Sequence, residues 1–332
     1  METSLKPIVV SGIRATGNVH LGNYLGAIRN FVQMQDEYNC HFFVADWHSL
    51  TTLTNPAELR DNLGELVLDY LAAGLDPEKA VIFAQSSVPQ IPELSWILSN
   101  LMMVSVLERC PTYKEKAASQ PDNINTGLLT YPILMAADIL IQKANVVPVG
   151  EDQLPHLEIA RDLARSFNAK FGLTFPIPKK LSGKDIRVPS LGGEGKMSKS
   201  SGATIALTDS EEIIRQKCRN ALTDPKRERR TDSGHPWECN LYVLQEHVLG
   251  ADKAAQDIIP VCENAQIGCV ECKDCFASAV ISMLAPMQER RQVLARQKNL
   301  VRDVLHQGGI TARESATETL EEVRTKVGLI RF

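Results

Sequence analysis

At 332 residues, 44% apolar and 23% charged, the chain has the composition of an ordinary globular protein with room for two domains, which excludes a disordered or fibrous class. Its formal net charge of -4 excludes a uniformly basic nucleic-acid binder, so any RNA contact must rest on local patches such as Lys226, Arg227, Arg229 and Arg230, a run that fits a solvated loop equally well. No apolar run approaches bilayer-crossing length and residues 1–6 lack a secretory apolar core, so the chain is expected to stay in the cytoplasm with no membrane partner.

Residues 8–10, Ile-Val-Val, read as a short buried strand. A turn follows that carries Gly12, Arg14, Thr16, Gly17, Asn18, His20, Gly22 and Asn23, and then a helical pattern through Leu25, Ile28, Phe31, Val32 and Gln35. Strand, turn and helix in this order aim free backbone N–H groups and a positive helix end at an anion beyond the strand, usually a phosphate. The glycines do not fall as G-x-G-x-x-G, so the dinucleotide fingerprint is absent.

Further along, β-rich runs at 41–45, 80–85 and 145–149 alternate with helical stretches at 56–73, 128–143 and 154–167. That alternation predicts an α/β class, a mostly parallel sheet with helices on both faces. Next comes Lys196-Met197-Ser198-Lys199-Ser200 behind Gly192, Gly193 and Gly195. Two ammonium groups and two hydroxyls on such a loop can close over a polyphosphate, although a run of Lys and Ser also suits a solvated surface loop. Gly195-Lys196 is followed by Met rather than Ser or Thr, so there is no Walker loop, and a kinase or dehydrogenase reading loses its main support.

From about Asp209 onward strand signals fade, while apolar periodicity continues through Ile213 and residues 241–249, 280–284 and 301–305, so the second region is expected to be helical. It carries Cys239, Cys262, Cys269 and Cys272, spaced C-x22-C-x6-C-x2-C, with Cys275 close behind. Four thiolates suit either zinc or an iron-sulfur cluster, and spacing alone does not choose. Cys40, Cys110 and Cys218 read as ordinary buried thiols.

His20-Leu21-Gly22-Asn23 resembles the first signature of class I aminoacyl-tRNA synthetases, and Lys196 to Ser200 matches their second letter for letter. Between them, Leu128 to Leu140, with its Met135-Ala136-Ala137-Asp138 core, and Val147-Pro148-Val149-Gly150-Glu151-Asp152-Gln153 look like the amino-acid and ribose segments of bacterial tryptophanyl-tRNA synthetases. Asp46-Trp47-His48, Thr112-Tyr113-Lys114-Glu115-Lys116 and Thr319-Leu320-Glu321-Glu322-Val323-Arg324 resemble that family too, so the likeness covers nearly the whole chain.

The resemblance implies a Rossmann-like doubly wound catalytic domain over residues 1–205 and an all-helical tRNA anticodon-binding domain over 206–310, with a last helix at 311–332 packing back onto the first. It implies ATP, Mg²⁺, L-tryptophan and tRNA(Trp) as substrates, ion and partner, and a homodimer. Activation moves charge onto the departing pyrophosphate, where Lys196 and Lys199 would meet it, with Ser198, Ser200 and Met197 in the same loop. Lys199 is the expected essential lysine. His20 would bond phosphate or ring oxygens, and Gly22 would let adenine approach the backbone. Asn23 departs from the usual fourth His of the signature. Asp152 and Gln153 are placed for ribose and ammonium; Asp152 also suits a helix N-cap.

The indole N–H only donates, so a buried carboxylate can accept it and reject a ring lacking a donor, with discrimination of roughly 10⁴ or more. The resemblance assigns that role to Asp138, with Met135 one turn earlier and His48 and Tyr131 walling the pocket. Val10 stands where many of these enzymes carry Phe. Ile267-Gly268-Cys269-Val270-Glu271-Cys272 looks like the segment that binds a [4Fe-4S] cluster in a subset of the family, with Zn²⁺ as the alternative. The rivals are a tyrosyl enzyme, which Asp138 and the Met135-Ala136-Ala137-Asp138 segment disfavour, a non-catalytic RNA-binding, redox-sensing paralogue, which an intact Lys196–Ser200 loop disfavours, and a small-molecule adenylyltransferase, which would not explain the long helical region.

Overall fold

The computed structural model describes residues 6–181, 188–193, 195–197 and 203–329. Its centre is a five-stranded sheet in the order β3-β2-β1-β4-β5, built from β1 (Ile8–Ile13), β2 (Asn39–Val44), β3 (Ala80–Ala84), β4 (Val146–Val147) and β5 (Lys179–Lys180). Every pair is parallel. The chain winds outward from β1 to β3, then returns to the other side of β1 to place β4. The strand order therefore reverses between β1 and β4, which is where open α/β sheets leave a crevice for ligands.

Side chains alternate between two apolar layers. Val9, Cys40, Phe42 and Ile82 face one, and Val10, Phe43 and Phe83 face the other. Burial on both faces explains why these strands read as continuous apolar runs. In the first layer Phe31 stacks on Phe42 at 4.2 Å. That layer is covered by the helical run α1 (Leu21–Asn23), a π-helical segment (Tyr24–Ile28) and α2 (Arg29–Met34), with α4 (Pro56–Ala73) beside it.

The second layer is closed by α5 (Gln90–Ser99), α8 (Thr126–Ile141), α9 (Leu154–Phe171) and α14 (Leu300–Val327). The expected helices at 56–73, 128–143 and 154–167 appear as α4, α8 and α9; the expected strand at 145–149 shrinks to two residues. The π-helical segment and β5 had no counterpart in the sequence reading.

After β5, the named elements among the described residues are helical: α10 (Glu211–Arg219), α11 (Asn240–Leu249), α12 (Ala251–Glu263), α13 (Cys269–Ala295) and α14. Leu241, Leu244, Phe276, Val280 and Leu284 join the first apolar layer, so the helical region shares a core with the sheet. Arg291 of α13 donates to Asp69 of α4 at 2.7 Å and also pairs with Glu65. α14 runs unbroken through Gly308, where a Cβ would lie 1.9 Å from the Ile82 carbonyl oxygen. Only glycine lets this helix lie directly against edge strand β3, and packing holds helical a Gly308-Gly309 pair that is locally unfavourable. The helix therefore begins at Leu300 and continues across residue 310, where the sequence reading had placed a boundary.

Candidate active site

The chain leaves β1 and turns sharply: the Thr16 N–H donates to the Arg14 carbonyl at 2.9 Å, and Gly17 takes φ +80°. It then enters α1 through His20. His20 Nδ1 accepts the Asn23 N–H at 3.2 Å, and Asn23 Oδ1 accepts the His20 N–H at 3.3 Å. This reciprocal box accounts for the amide at the fourth signature position, since its carbonyl oxygen caps the helix start.

The two signatures meet here. Met197 is only 1% exposed and packs over Gly22, where a Cβ would come within 3.1 Å of the Met197 Cβ and 3.0 Å of His20 Nδ1. The Met197 N–H donates to the Val188 carbonyl at 2.8 Å, the Leu21 N–H to Ile205 at 2.8 Å and the Leu207 N–H to Val19 at 3.0 Å. The first signature is thus met from two sides, by the Met197 side chain and by backbone hydrogen bonds with Ile205 and Leu207. Ser198, Lys199 and Ser200 lie outside the described residues.

Lys196 is exposed, with Nζ 3.7 Å from Asp152 Oδ2. Asp152 sits in a 3₁₀ turn, Glu151–Gln153, and does not cap α9, whose N-cap is Gln153. Gly150 makes room for it: a Cβ there would lie 2.8 Å from Asp152 Oδ1. Arg14 reaches Thr52 Oγ1 at 2.5 Å, and burial lowers its guanidinium below the ordinary value. Lys116 of α7 (Pro111–Ser119), a cation the sequence reading did not single out for the site, lies 4.1 Å over the Tyr131 ring. Burial, reinforced by the nearby Arg14 charge, pulls its ammonium down to about 8. Gly12 lies in β1 against the Phe43 ring, and Asn18 is exposed.

Deeper in, Asp138 of α8 is 3% exposed and held by three contacts. Gln85 Nε2 donates to both carboxylate oxygens, at 2.8 and 2.9 Å, and His48 Nε2 lies 3.0 Å from Oδ2. A carboxylate only accepts, so His48 carries its proton on Nε2. Gln85 is itself oriented by the His48 N–H, which donates to Oε1 at 3.3 Å. Burial pushes the Asp138 carboxyl up, opposed by the His48 and Gln85 hydrogen bonds. Nearby, Asp46 accepts the N–H groups of Trp47 and Ser86, both at 3.0 Å.

Tyr131 and Gln153 converge on a residue the sequence reading passed over, His156 of α9. Its Nε2 lies 2.7 Å from the Tyr131 hydroxyl and 2.6 Å from Thr112 Oγ1, and its Nδ1 lies 2.9 Å from Gln153 Oε1. Val10 is buried in the second apolar layer and half-buried Met135 packs against that layer. Gln85 and His156 each left one signal, a polar side chain at the end of an apolar strand or on an apolar helix face, but nothing local paired them with a partner.

Comparison with known proteins decides the family. Residues 3–285 match the class I tRNA synthetases for W and Y. The tryptophan–tRNA ligase of Deinococcus radiodurans is 43% identical over 329 residues, covering 98% of this chain and 99% of the relative. That of Thermotoga maritima is 41% identical over 326 residues, covering 97% and 99%. The chain belongs to the tryptophanyl-tRNA synthetases of class I. A crystal structure of the Campylobacter jejuni member, complexed with ADP and tryptophan, superposes with a TM-score of 0.85 at 31% identity, covering 97% of this chain and 100% of that one. No helix among the described residues is long and apolar enough to cross a membrane.

In the helical region of this synthetase, Cys239, Cys262, Cys269 and Cys272 are all partly exposed, and none forms a disulfide, whereas Cys40, Cys110 and Cys218 are buried. Cys262 lies within electrostatic reach of Cys239 and Cys269, and Cys272 within reach of Cys239, Cys262 and Cys275, so the four share one region. Burial pushes Cys272 up to about 11. Gln245 Nε2 donates to Cys272 Sγ at 3.4 Å, and Arg227 Nη1 lies 4.0 Å from Cys262 Sγ. Among the described residues no three His, Cys, Asp or Glu side chains close around one metal ion. The candidate RNA patch is partly spent on structure: Arg227 donates to the Ile267 carbonyl, Arg230 pairs with Glu271 and Lys226 with Glu238.

Proposed function

We infer that this chain is a tryptophan–tRNA ligase. It activates L-tryptophan with ATP to tryptophanyl-adenylate and pyrophosphate, then transfers tryptophan to the 3′-terminal ribose of tRNA(Trp). The observation that carries the reading is buried Asp138, an acceptor held by two donor residues, in a crevice whose rim unites both nucleotide signatures. Asp138 accepts the indole N–H, and a ring without a donor at that point would leave the buried acceptor unpaired. The substrate carboxylate attacks the α-phosphorus, and Lys196 and Lys199 meet the charge that builds on the departing pyrophosphate. Asp152 serves the ribose. In the second step the ribose hydroxyl attacks the acyl carbonyl and AMP leaves.

On the nucleotide side, among the described residues, Lys196 stands beside the carboxylate of Asp152. That pair suits Mg²⁺ brought in on the triphosphate and held largely by phosphate and water. The ion would offset charge on the leaving group. Exchange of labelled pyrophosphate into ATP should depend on tryptophan. Exchange driven by tyrosine would move the assignment to the tyrosyl enzyme, and no exchange with either would favour a non-catalytic RNA-binding paralogue.

The helical region from residue 206 up to α14 is assigned to the tRNA anticodon, and the catalytic domain to residues 1–205 with α14, whose Ala312, Ala316, Leu320 and Val323 lie in the second apolar layer. Trp237, 69% exposed and edge-on to Tyr242, offers a base a stacking surface in a region that also exposes Arg229. The four cysteines are assigned to a [4Fe-4S] cluster. Four free thiols in one region, with Gln245 and Arg227 N–H groups turned toward two of the sulfurs, are a donor set that fits it. A single zinc needs its four sulfurs in one small tetrahedron, whereas a cubane spreads them over four irons. The cluster would brace the anticodon region. About four iron and four sulfide per chain in protein purified without oxygen are expected; one zinc without sulfide would make the site structural zinc.

A homodimer is supported by the exposed apolar Trp96, Met103 and Val104 of the catalytic domain, a surface water disfavours. Sedimentation at the monomer mass would remove it. The reaction is placed in the cytoplasm, where tRNA is charged.

A further inference from the structure

One hydrogen-bonded chain runs from the nucleotide rim to the amino-acid pocket, and its direction is set from one end. Asp152 carries a carboxylate, which only accepts. Gln153 Nε2, 3.0 Å from Asp152 Oδ2, must therefore be the donor, and the amide oxygen faces the other way. That oxygen lies 2.9 Å from His156 Nδ1, so Nδ1 carries the imidazole proton. Nε2 is then bare, with the hydroxyls of Tyr131 at 2.7 Å and Thr112 at 2.6 Å around it. Thr112 Oγ1 also has Cys110 Sγ as a partner at 3.2 Å. With the Thr112 proton given to that sulfur, Nε2 takes the Tyr131 proton, so the Tyr131 O–H is directed inward and its oxygen keeps lone pairs to offer.

A lone glutamine amide or a lone imidazole has two orientations of nearly equal energy. Here each choice excludes the other's alternative. His156 is 1% exposed, and burial together with the Lys116 charge holds its imidazole at about 4, so it is neutral at neutral pH, as a bare Nε2 requires.

We propose that His156 is a positioning residue of the amino-acid subsite: it fixes the Gln153 amide and the Tyr131 hydroxyl so that both present oxygen to the ammonium group of the amino acid. This rests on the tryptophan-binding reading above. The device selects for a cationic donor, because the same two side chains turned over would present hydrogen and repel it. His156 itself touches no substrate.

The test is equilibrium binding of L-tryptophan and of indole-3-propionate, which keeps the indole and carboxylate but lacks the ammonium, to the intact chain. In His156→Gln the side-chain oxygen reaches the Nε2 position and keeps an acceptor for the hydroxyls, but the Nδ1–H is lost. In His156→Asn an amide N–H takes the Nδ1 position and keeps the bond to Gln153. The Gln variant should bind L-tryptophan about tenfold or more weakly while indole-3-propionate changes by about twofold at most, and the Asn variant should recover most of the loss. Equal weakening of both ligands in the Gln variant, or no weakening of either, overturns the proposal and leaves the tryptophan reading standing. A wild-type chain that binds neither ligand overturns both. Should the His156 variants fail to fold, Asp152→Asn removes the acceptor-only end of the chain and should show the same selective loss of L-tryptophan.

Discussion

The amino-acid pocket and the nucleotide rim lie in one crevice and are built on opposite terms. In the pocket, Asp138, Gln85 and His156 are almost fully buried, and each carries short hydrogen bonds that fix its donor and acceptor sense. On the rim, Lys196 and Asp152 are each more than half exposed, and their charges stand 3.7 Å apart. A rigid, desolvated carboxylate makes the wrong ligand leave an acceptor unpaired, which is how hydrogen bonding separates substrates. A solvated lysine costs little to reorient, so it can bind the transition state more tightly than the ground state. Selection therefore sits where the protein is stiff, and charge stabilisation where side chains are free to shift.

The largest effect that would break this contrast belongs to the pocket. Asp138→Asn should lower kcat/KM for tryptophan in pyrophosphate exchange by roughly 10³-fold or more with KM for ATP little changed. A loss spread equally over both substrates would mean that Asp138 supports the crevice as a whole. On the rim, Lys196→Ala should lower kcat by about 10²-fold while tryptophan affinity, measured by equilibrium titration, is preserved. The Lys199→Ala change should go further in the same direction. A rim variant that lost tryptophan binding instead would erase the division of labour.

The smallest effect is on stability. His156 in the pocket and His41 in β2 are both pulled down to about 4, in each case first by burial. An unfolded histidine titrates near 6.5, so between these values the unfolded chain takes up protons that the folded chain refuses. Their contribution to stability is complete above 6.5 and is lost as pH falls toward 4; at pH 5 each costs about 2 kcal/mol. Thermal melts at pH 7.5 and pH 5 should differ by several degrees, and His156→Asn should shrink that difference. The comparison between variants separates the histidines from Asp138, whose raised carboxyl acts in the opposite sense. A drop in Tm that His156→Asn left untouched would place the pH sensitivity elsewhere.

The parallel sheet, the main helices around it and the two signatures are legible from the residues alone, because each is written in local periodicity or in a short contiguous run. Helix α4 was legible to its end residues, since Asn55 caps it, Pro56 starts it and Gly74 stops it in the left-handed region. The two-residue strands β4 and β5 carry too little pattern to announce themselves, and the Gly308-Gly309 pair reads locally as a break. Only the tertiary structure keeps α14 whole there, because the missing Cβ atoms let it reach β3.

The site divides the same way. Asp138, His48 and Tyr131 were legible through resemblance, but the sequence gives no sign that Gln85 at the end of β3 locks the Asp138 carboxylate, or that His156 joins Tyr131 to Gln153. Nor does it say that Met197 rests on Gly22. These are contacts between side chains far apart in the chain, and a hydrogen bond has a direction only once both partners are in place. Residue type could name the candidates; which atom donates to which was decided when the sheet brought the ends of β1, β3 and β4 together.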